Sequence, residues 1–154
     1  MIFELGDYTI QVKPEANKTY YANEQTIFDS DPNDDTHNFE LAVTGISQEV
    51  QRLFSAMGAD IKKPVEMYVS YEYNSQLVYE GYYHICGEII NGTSPWEKTE
   101  SGSTATLNED MMYSVGNSFK CGFSTDCTLL YDEFPRPCFQ MEVLFTLPRV
   151  YPHL

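Results

Sequence analysis

The sequence predicts an α+β fold in which a mainly antiparallel, curved β-sheet of roughly seven to nine strands carries one amphipathic helix. Two observations favour this class. The chain contains 12 Tyr and 9 Phe, and aromatic residues are enriched in strands. One stretch shows helical periodicity, whereas several others show strand patterns. Because no linker or repeat divides the chain, residues 1–154 are predicted to form a single domain.

The N-terminal part begins with a predicted hairpin. Its strands are Ile2–Leu5 and Tyr8–Val12, and Gly6-Asp7 between them suits a two-residue type II′ or I′ turn. Residues 19–28 are predicted as a further strand. After an acidic loop, the largely apolar residues 39–46 are predicted as another strand. We therefore expect this part of the chain to contribute strands to the sheet.

The one predicted helix begins after Ser47. Ser47 is a favoured N-cap residue, and Glu49 lies in the first turn, where a negative charge is stabilising. Gly58 is placed to end the helix. Four apolar residues recur at helical spacing and form one stripe: Val50, Leu53, Phe54 and Met57. We expect this helix to pack flat on the sheet.

Strand patterns dominate from residue 65 onward. In residues 65–73 alternate side chains share a face, and one face carries Glu66, Tyr68, Ser70 and Glu72. Asn74-Ser75 is predicted as a turn, and residues 91–102 as a long polar loop with the only tryptophan. Gly87 is expected to mark a bulge or a close packing contact. The remaining predicted strands span residues 76–79, 82–90, 104–107, 118–123, 128–131 and 138–147.

The stretch DSDPNDDTHNFE, residues 29–40, places oxygen side chains near the spacing of an EF-hand calcium loop. Two departures disfavour that motif. Position 6 of the loop is Asp34, where the sharp turn needs Gly, and residues 39–46 are predicted as a strand where the motif needs a helix. No metal site and no cofactor is therefore predicted, although the sequence leaves open whether the loop binds a cation in another way.

The formal net charge is −14, from 23 acidic and 9 basic residues. Such a charge repels the phosphate backbone, so direct binding of nucleic acid is disfavoured, whereas encounter with a cationic protein is favoured. Acidity of this kind also simply keeps a protein soluble. The densest negative segment carries five acids and no Lys or Arg: Asp29, Asp31, Asp34, Asp35 and Glu40.

Catalytic residues are not indicated. His84 and Cys86 are expected on one face of a strand, but the sequence offers no third group to orient them. The four cysteines, Cys86, Cys121, Cys127 and Cys138, lack the paired CxxC spacing of structural zinc sites. Buried free thiols are favoured, and the sequence leaves open whether the cysteines are free, paired or metal-bound.

Cytoplasmic location is the expectation from the chain as given. Its start has no basic segment followed by a long apolar one, as a secretory signal would. No apolar run approaches the ~20 residues that span a bilayer. We therefore expect no contact with a membrane.

These features favour a non-enzymatic acidic binding protein, and specifically an immunity-type inhibitor that neutralises a cationic toxin or nuclease by occluding its active site. Two alternatives remain: a phage-encoded anti-defence inhibitor of the anti-CRISPR sort, and a virion or structural assembly subunit. Neither the partner nor the oligomeric state follows from the sequence. The predicted partner-binding residues are Asp29, Asp31, Asp34, Asp35, Glu40, Glu66, Glu72 and Tyr68.

Overall fold

The computed structural model describes residues 1–152 and has an α+β architecture, as the sequence predicts. Within that range there are four α-helices, α1 (Pro14–Tyr21), α2 (Ile27–Ser30), α3 (Asp34–Val43) and α4 (Gln48–Met57). The strands are β1 (Ile2–Leu5), β2 (Tyr8–Val12), β3 (Glu66–Tyr73), β4 (Gln76–Asn91), β5 (Trp96–Lys98), β6 (Ala105–Leu107), β7 (Tyr113–Val115), β8 (Phe119–Ser124) and β9 (Cys138–Pro148). A single 3₁₀ turn spans Glu109–Met111.

Seven strands form one antiparallel sheet in the order β1-β2-β4-β9-β8-β7, with β3 also paired to β4. The 16 residues of β4 organise this sheet. Its first part pairs with β3 and its last part with β2 along one edge, while β9 pairs with most of the other edge. Strands β5 and β6 form a separate two-stranded hairpin.

Helices α3 and α4 cover one side of the sheet, which we call the helix face. On β4 this face carries Leu77, Tyr79, Tyr83 and Ile85. The ring of Phe54 in α4 lies 4.9 Å from that of Tyr83, and the ring of Phe39 in α3 lies 5.4 Å from that of Phe145 in β9. Aromatic rings from helices and strands therefore pack in one core, and their edge-to-face contacts stabilise it beyond the effect of burying apolar area.

The opposite side of the sheet, which we call the far face, is more polar. Because side chains alternate along a strand, β4 presents a second set of residues on this side: Val78, Glu80, Tyr82, His84 and Cys86. The β5–β6 hairpin and the segment 124–137 lie over parts of this face, since Pro95 packs on Gly122 and the Thr128 N–H reaches Gln140.

Several sequence predictions are confirmed. The β1–β2 hairpin forms, and its turn is Gly6-Asp7. The helix after Ser47 forms as α4, where the Ser47 hydroxyl accepts a hydrogen bond from the Val50 N–H at 3.4 Å. Gly58 ends that helix in the left-handed conformation (φ 81°), as a C-terminal glycine does. Gly87 is a close packing contact, because a Cβ there would lie 2.0 Å from the Gln11 carbonyl oxygen.

The expectation of one helix is corrected to four, because two predicted strands are helical. Residues 19–28 contain the end of α1 and the start of α2, and residues 39–46 lie largely in α3. The buried residues Thr36, Phe39 and Val43 recur at helical spacing, and Asn33 and Thr36 form a capping box that starts α3. A short apolar run in the sequence does not by itself distinguish a strand from a buried helix.

Further assignments differ from the predictions, and the predicted loop 91–102 contains strand β5. Residues 76–79 and 82–90 form one continuous strand, β4. Residues 128–131 form no strand, and Leu129 adopts a positive φ of 54°, which interrupts extended backbone.

Candidate functional site

The acidic segment 29–40 contains the end of α2, the connection that follows it and most of α3. Asp29 lies in the short helix α2, Asp34 and Asp35 form the first turn of α3, and Glu40 lies further along α3. The four aspartates of the segment are exposed. Asp34 and Asp35 stabilise α3 by opposing its dipole, so part of the negative charge has a local structural role.

No EF-hand loop exists in this segment, because α2 and α3 occupy most of the positions that the loop would need. These helices exclude the EF-hand motif, whereas the sequence prediction excluded it partly through a strand over residues 39–46. Among residues 1–152, moreover, no group of three or more His, Cys, Asp or Glu side chains is placed to hold a metal ion.

The predicted residues of β3 divide between the two faces of the sheet. A β-bulge between Val69 and Tyr71 shifts the register, so Tyr68 lies opposite Glu80 but Glu72 lies opposite Leu77. Glu72 consequently faces the helix side, where the Arg149 guanidinium is 3.8 Å from its carboxylate. The prediction that Glu66, Tyr68, Ser70 and Glu72 share one face is wrong, because the bulge interrupts the alternation.

On the far face, Glu66 and Tyr68 each belong to a cross-strand row of side chains. One row runs from β3 through β4 and β9 to β8 and consists of Tyr68, Glu80, Leu144 and Lys120. The next row consists of Glu66, Tyr82, Glu142 and Gly122. Neighbouring side chains in such rows are in contact range, so tyrosines and carboxylates alternate across this surface.

An open groove of about 350 Å³ lies on the far face between β3 and the β5–β6 hairpin, and we call it the aromatic groove. Its aromatic residues are 45% (Tyr68), 51% (Tyr71) and 37% (Trp96) exposed. Glu80 and Leu144, on the central strands β4 and β9, form its floor. The other lining residues are Ser70, Ala105, Thr106, Leu107 and Glu109.

The aromatic groove has a negative electrostatic environment. Burial, followed by the charge of Glu80, raises the pKa of the Tyr68 hydroxyl to about 12, and Glu66 and Glu142 act in the same direction. The nearest cation on the same row, Lys120, is 3.2 Å from the Glu109 carboxylate and is thereby paired. Glu80 makes no ion pair with any residue in the described part of the chain.

Next to the groove, the far face contains a buried polar network. The Gln140 amide donates to the Glu142 carboxylate at 2.5 Å, and its oxygen accepts from the Thr128 N–H at 2.7 Å. That oxygen also lies 3.0 Å from His84 Nε2. Because the amide oxygen can only accept, His84 Nε2 carries the hydrogen. Burial lowers the pKa of His84 and raises that of Glu142.

Two other side chains on this face, Tyr82 and Cys86, are buried. The Tyr82 hydroxyl has no hydrogen-bond partner within the described chain, and burial raises its pKa. All four cysteines are free, and Cys86 lies directly opposite Cys138 across β4 and β9. Burial raises the pKa of the Cys86 thiol and raises that of Cys127 to about 12. The Cys86 and Cys127 thiols are therefore protonated at neutral pH and are poor nucleophiles.

Comparison with protein-family models, with curated proteins and with solved structures finds no match to this chain. None of the helices within residues 1–152 has the length and apolar character that crossing a membrane requires.

Sequence reasoning missed most of the aromatic groove. Of the residues that line this groove, it identified Tyr68 but did not select Glu80, Tyr71 or Trp96. The alternation along residues 78–86 contained a usable signal, because it places Glu80 and Tyr82 on the same face. Trp96 carried no such signal, since its position depends on how the β5–β6 hairpin folds over the sheet.

Proposed function

We propose that this chain is a non-enzymatic acidic binding protein that neutralises a cationic protein, in the manner of an immunity-type inhibitor of a toxin or nuclease. The observation that carries this proposal is the far face, where exposed Tyr68, Tyr71 and Trp96 are interleaved with the carboxylates of Glu66 and Glu80. Exposed aromatic residues are favoured anchors in protein interfaces.

The mechanism is occlusion of a basic active site. Carboxylates of the far face take the places that substrate phosphates would occupy in the partner, and aromatic side chains exclude water around them. The net charge of −14 accelerates encounter with a cationic surface. The exposed aspartates at the start of α3 contribute to this long-range attraction from the helix side.

The His84 side chain and three cysteine side chains that could act in catalysis are buried or protonated, which supports a binding function. His84 is buried and engaged with Gln140, and its lowered pKa keeps it neutral. The raised pKa values of the Cys86, Cys121 and Cys127 thiols disfavour a nucleophilic role for them.

The test compares two charge-matched variants on opposite sides of the sheet. A tagged chain is used to isolate a basic protein from the source cells, and inhibition of the purified partner's nuclease or toxic activity is then measured. The far-face variant is Glu66→Lys/Glu80→Lys, and the helix-side control is Asp34→Lys/Asp35→Lys. We expect the far-face variant to weaken inhibition roughly 100-fold or more, through loss of buried charge contacts.

The helix-side variant is expected to slow association a few-fold, with an effect that added salt removes. Equal losses in both variants, or no loss in the far-face variant, would contradict the proposal. An anti-defence inhibitor would give the same pattern against a nuclease of a host defence system. Self-association of the purified chain without inhibition of any basic protein would favour an assembly subunit instead.

A further inference from the structure

We infer that the aromatic groove binds an arginine side chain, with its guanidinium held between the rings of Tyr68, Tyr71 and Trp96 and above the carboxylate of Glu80. The inference rests on the proposed function, because it specifies which side chain of the cationic partner enters the far face. The arginine site goes beyond the proposed function, since an inhibitor of this kind could also bind its partner through peripheral charges alone.

The composition of the groove indicates a cation. Three aromatic side chains line the groove, and the face of an aromatic ring attracts a positive charge placed over it. Glu80 is half-buried on β4, in the interior of the sheet, and has no cationic partner within residues 1–152. Because Glu80 is partly shielded from water, a cation bound beside it would interact with it more strongly than at an open surface.

The cations of the chain itself do not fill this role. Lys120 is held by Glu109 at 3.2 Å, and Arg149 lies on the helix side near Glu72. The groove is open to solvent, so a side chain from a partner can reach it. Charge complementarity therefore favours a cationic side chain of another protein as the occupant.

The chemistry of the lining residues favours arginine over lysine. A guanidinium is planar and weakly hydrated, so it stacks on aromatic rings at little desolvation cost, and its donors form a fork that matches a carboxylate. An ammonium is a compact and strongly hydrated charge that cannot stack. The combination of ring walls with a carboxylate floor suits the planar ion.

The chain provides its own probe, because Trp96 is the only tryptophan and lies in the groove. N-acetyl-L-arginine amide is titrated into the protein at constant ionic strength, and the fluorescence of Trp96 is recorded. The lysine and glutamine amides serve as cationic and neutral controls. We expect saturable binding of the arginine amide with a dissociation constant on the order of 1 mM, at least about threefold weaker binding of the lysine amide, and none of the glutamine amide.

Matched variants locate the site. Glu80→Gln and Tyr68→Ala are expected to weaken binding of the arginine amide about tenfold, through loss of a charge-assisted hydrogen bond and of a ring wall. Glu88→Gln removes the same charge at an exposed position of β4, about 26 Å along the strand. Tyr73→Ala removes an exposed tyrosine of β3 that does not line the groove. Neither control should change the dissociation constant.

Equal effects of Glu80→Gln and Glu88→Gln, or equal binding of the arginine and glutamine amides, would overturn the inference. A purified basic partner separates this failure from failure of the proposed function. If wild type and Glu80→Gln inhibit that partner equally, the arginine site is wrong and the inhibitory function stands. If the groove binds the arginine amide but the chain inhibits no basic protein, the arginine site stands and the proposed function is wrong.

Discussion

Glu142 is a carboxyl group that the fold buries without a cation to balance it. The residue is 2% exposed and lies between Tyr82 on β4 and Gly122 on β8. Burial raises the pKa of its carboxyl, and the charge of Glu80 adds to this. The nearby Trp96 indole and Gln140 amide act in the opposite direction. The folded protein therefore retains a proton on Glu142 at a pH where the unfolded chain has lost it.

This difference makes a testable prediction for Glu142→Gln. Because the folded-state pKa lies above the ordinary value of 4.5, wild-type stability falls as the pH rises from that value through the raised pKa. A glutamine at position 142 carries no such penalty, so the variant should melt at a higher temperature than wild type at neutral pH. The advantage should disappear below the ordinary carboxyl pKa.

The measurement is thermal unfolding of both proteins across the acidic to neutral range. The exposed Glu88→Gln serves as the control, and its difference from wild type should not grow in the same window. If the difference in melting temperature between Glu142→Gln and wild type stayed constant with pH, burial would not raise the pKa of the Glu142 carboxyl.

At the scale of elements, two buried asparagines join the helices to the sheet. The Asn17 side chain, in α1, donates to the Met57 carbonyl at the end of α4 at 2.9 Å and accepts from the Cys86 N–H of β4 at 2.8 Å. Asn38, in α3, accepts from the backbone N–H groups of Val150 and Tyr151 at 2.6 and 2.9 Å. These contacts satisfy backbone groups that neither a helix nor a strand could satisfy.

Asn17→Ala should therefore be strongly destabilising. The substitution leaves the Met57 carbonyl and the Cys86 N–H buried without partners, and each such loss costs about 1–3 kcal/mol, or about 2–6 kcal/mol together. Urea denaturation measures the change in the free energy of unfolding. Asn23→Ala is the matched control, because Asn23 bonds one carbonyl, that of Thr19, at an exposed position.

We expect the Asn23 substitution to change the free energy of unfolding by less than about 0.5 kcal/mol. Similar losses in the two variants would mean that Asn17 does not link α1, α4 and β4.

The elements themselves were predictable to different degrees. The helix α4 was identified because its N-cap, apolar stripe and terminal glycine all agree. Residues 39–46 were assigned to the wrong state because an apolar run of that length is compatible with a strand and with a buried helix. The choice depends on Phe39, whose ring packs between Tyr79 and Phe145 from strands distant in sequence.

At the scale of the whole molecule, charge opposes folding. The chain carries 23 acidic and 9 basic residues, and only four ion pairs form within residues 1–152. Repulsion among the remaining carboxylates destabilises the compact state, and salt screens it.

Added sodium chloride should accordingly raise the melting temperature at neutral pH, by a few degrees between about 10 mM and 300 mM salt. Thermal unfolding of the chain alone measures this effect. The same increase in salt near the sequence pI of about 4.3 should have little effect, because the net charge there is close to zero. A melting temperature that falls with salt at neutral pH would mean that favourable ion pairs outweigh the repulsion.

The candidate site was predictable only in part. Its acidic and aromatic character follows from composition, and Glu66 and Tyr68 follow from the alternation in residues 65–73. Glu72 was assigned to the same surface, but the bulge after Val69 moves it to the helix face. Such a bulge leaves no mark in a period-two pattern, because it depends on the pairing of β3 with β4.

The sequence by itself determined the α+β class, the α4 helix, the hairpin at the N-terminus and the strongly negative charge, because each depends on composition or on residues near one another in the chain. The tertiary structure decided which acids lie together. Glu80, Tyr68 and Trp96 come from three separate strands, and they form one groove only after β3 pairs with β4 and the β5–β6 hairpin lies beside them. Cross-strand register and hairpin placement are long-range properties, and local patterns do not specify them.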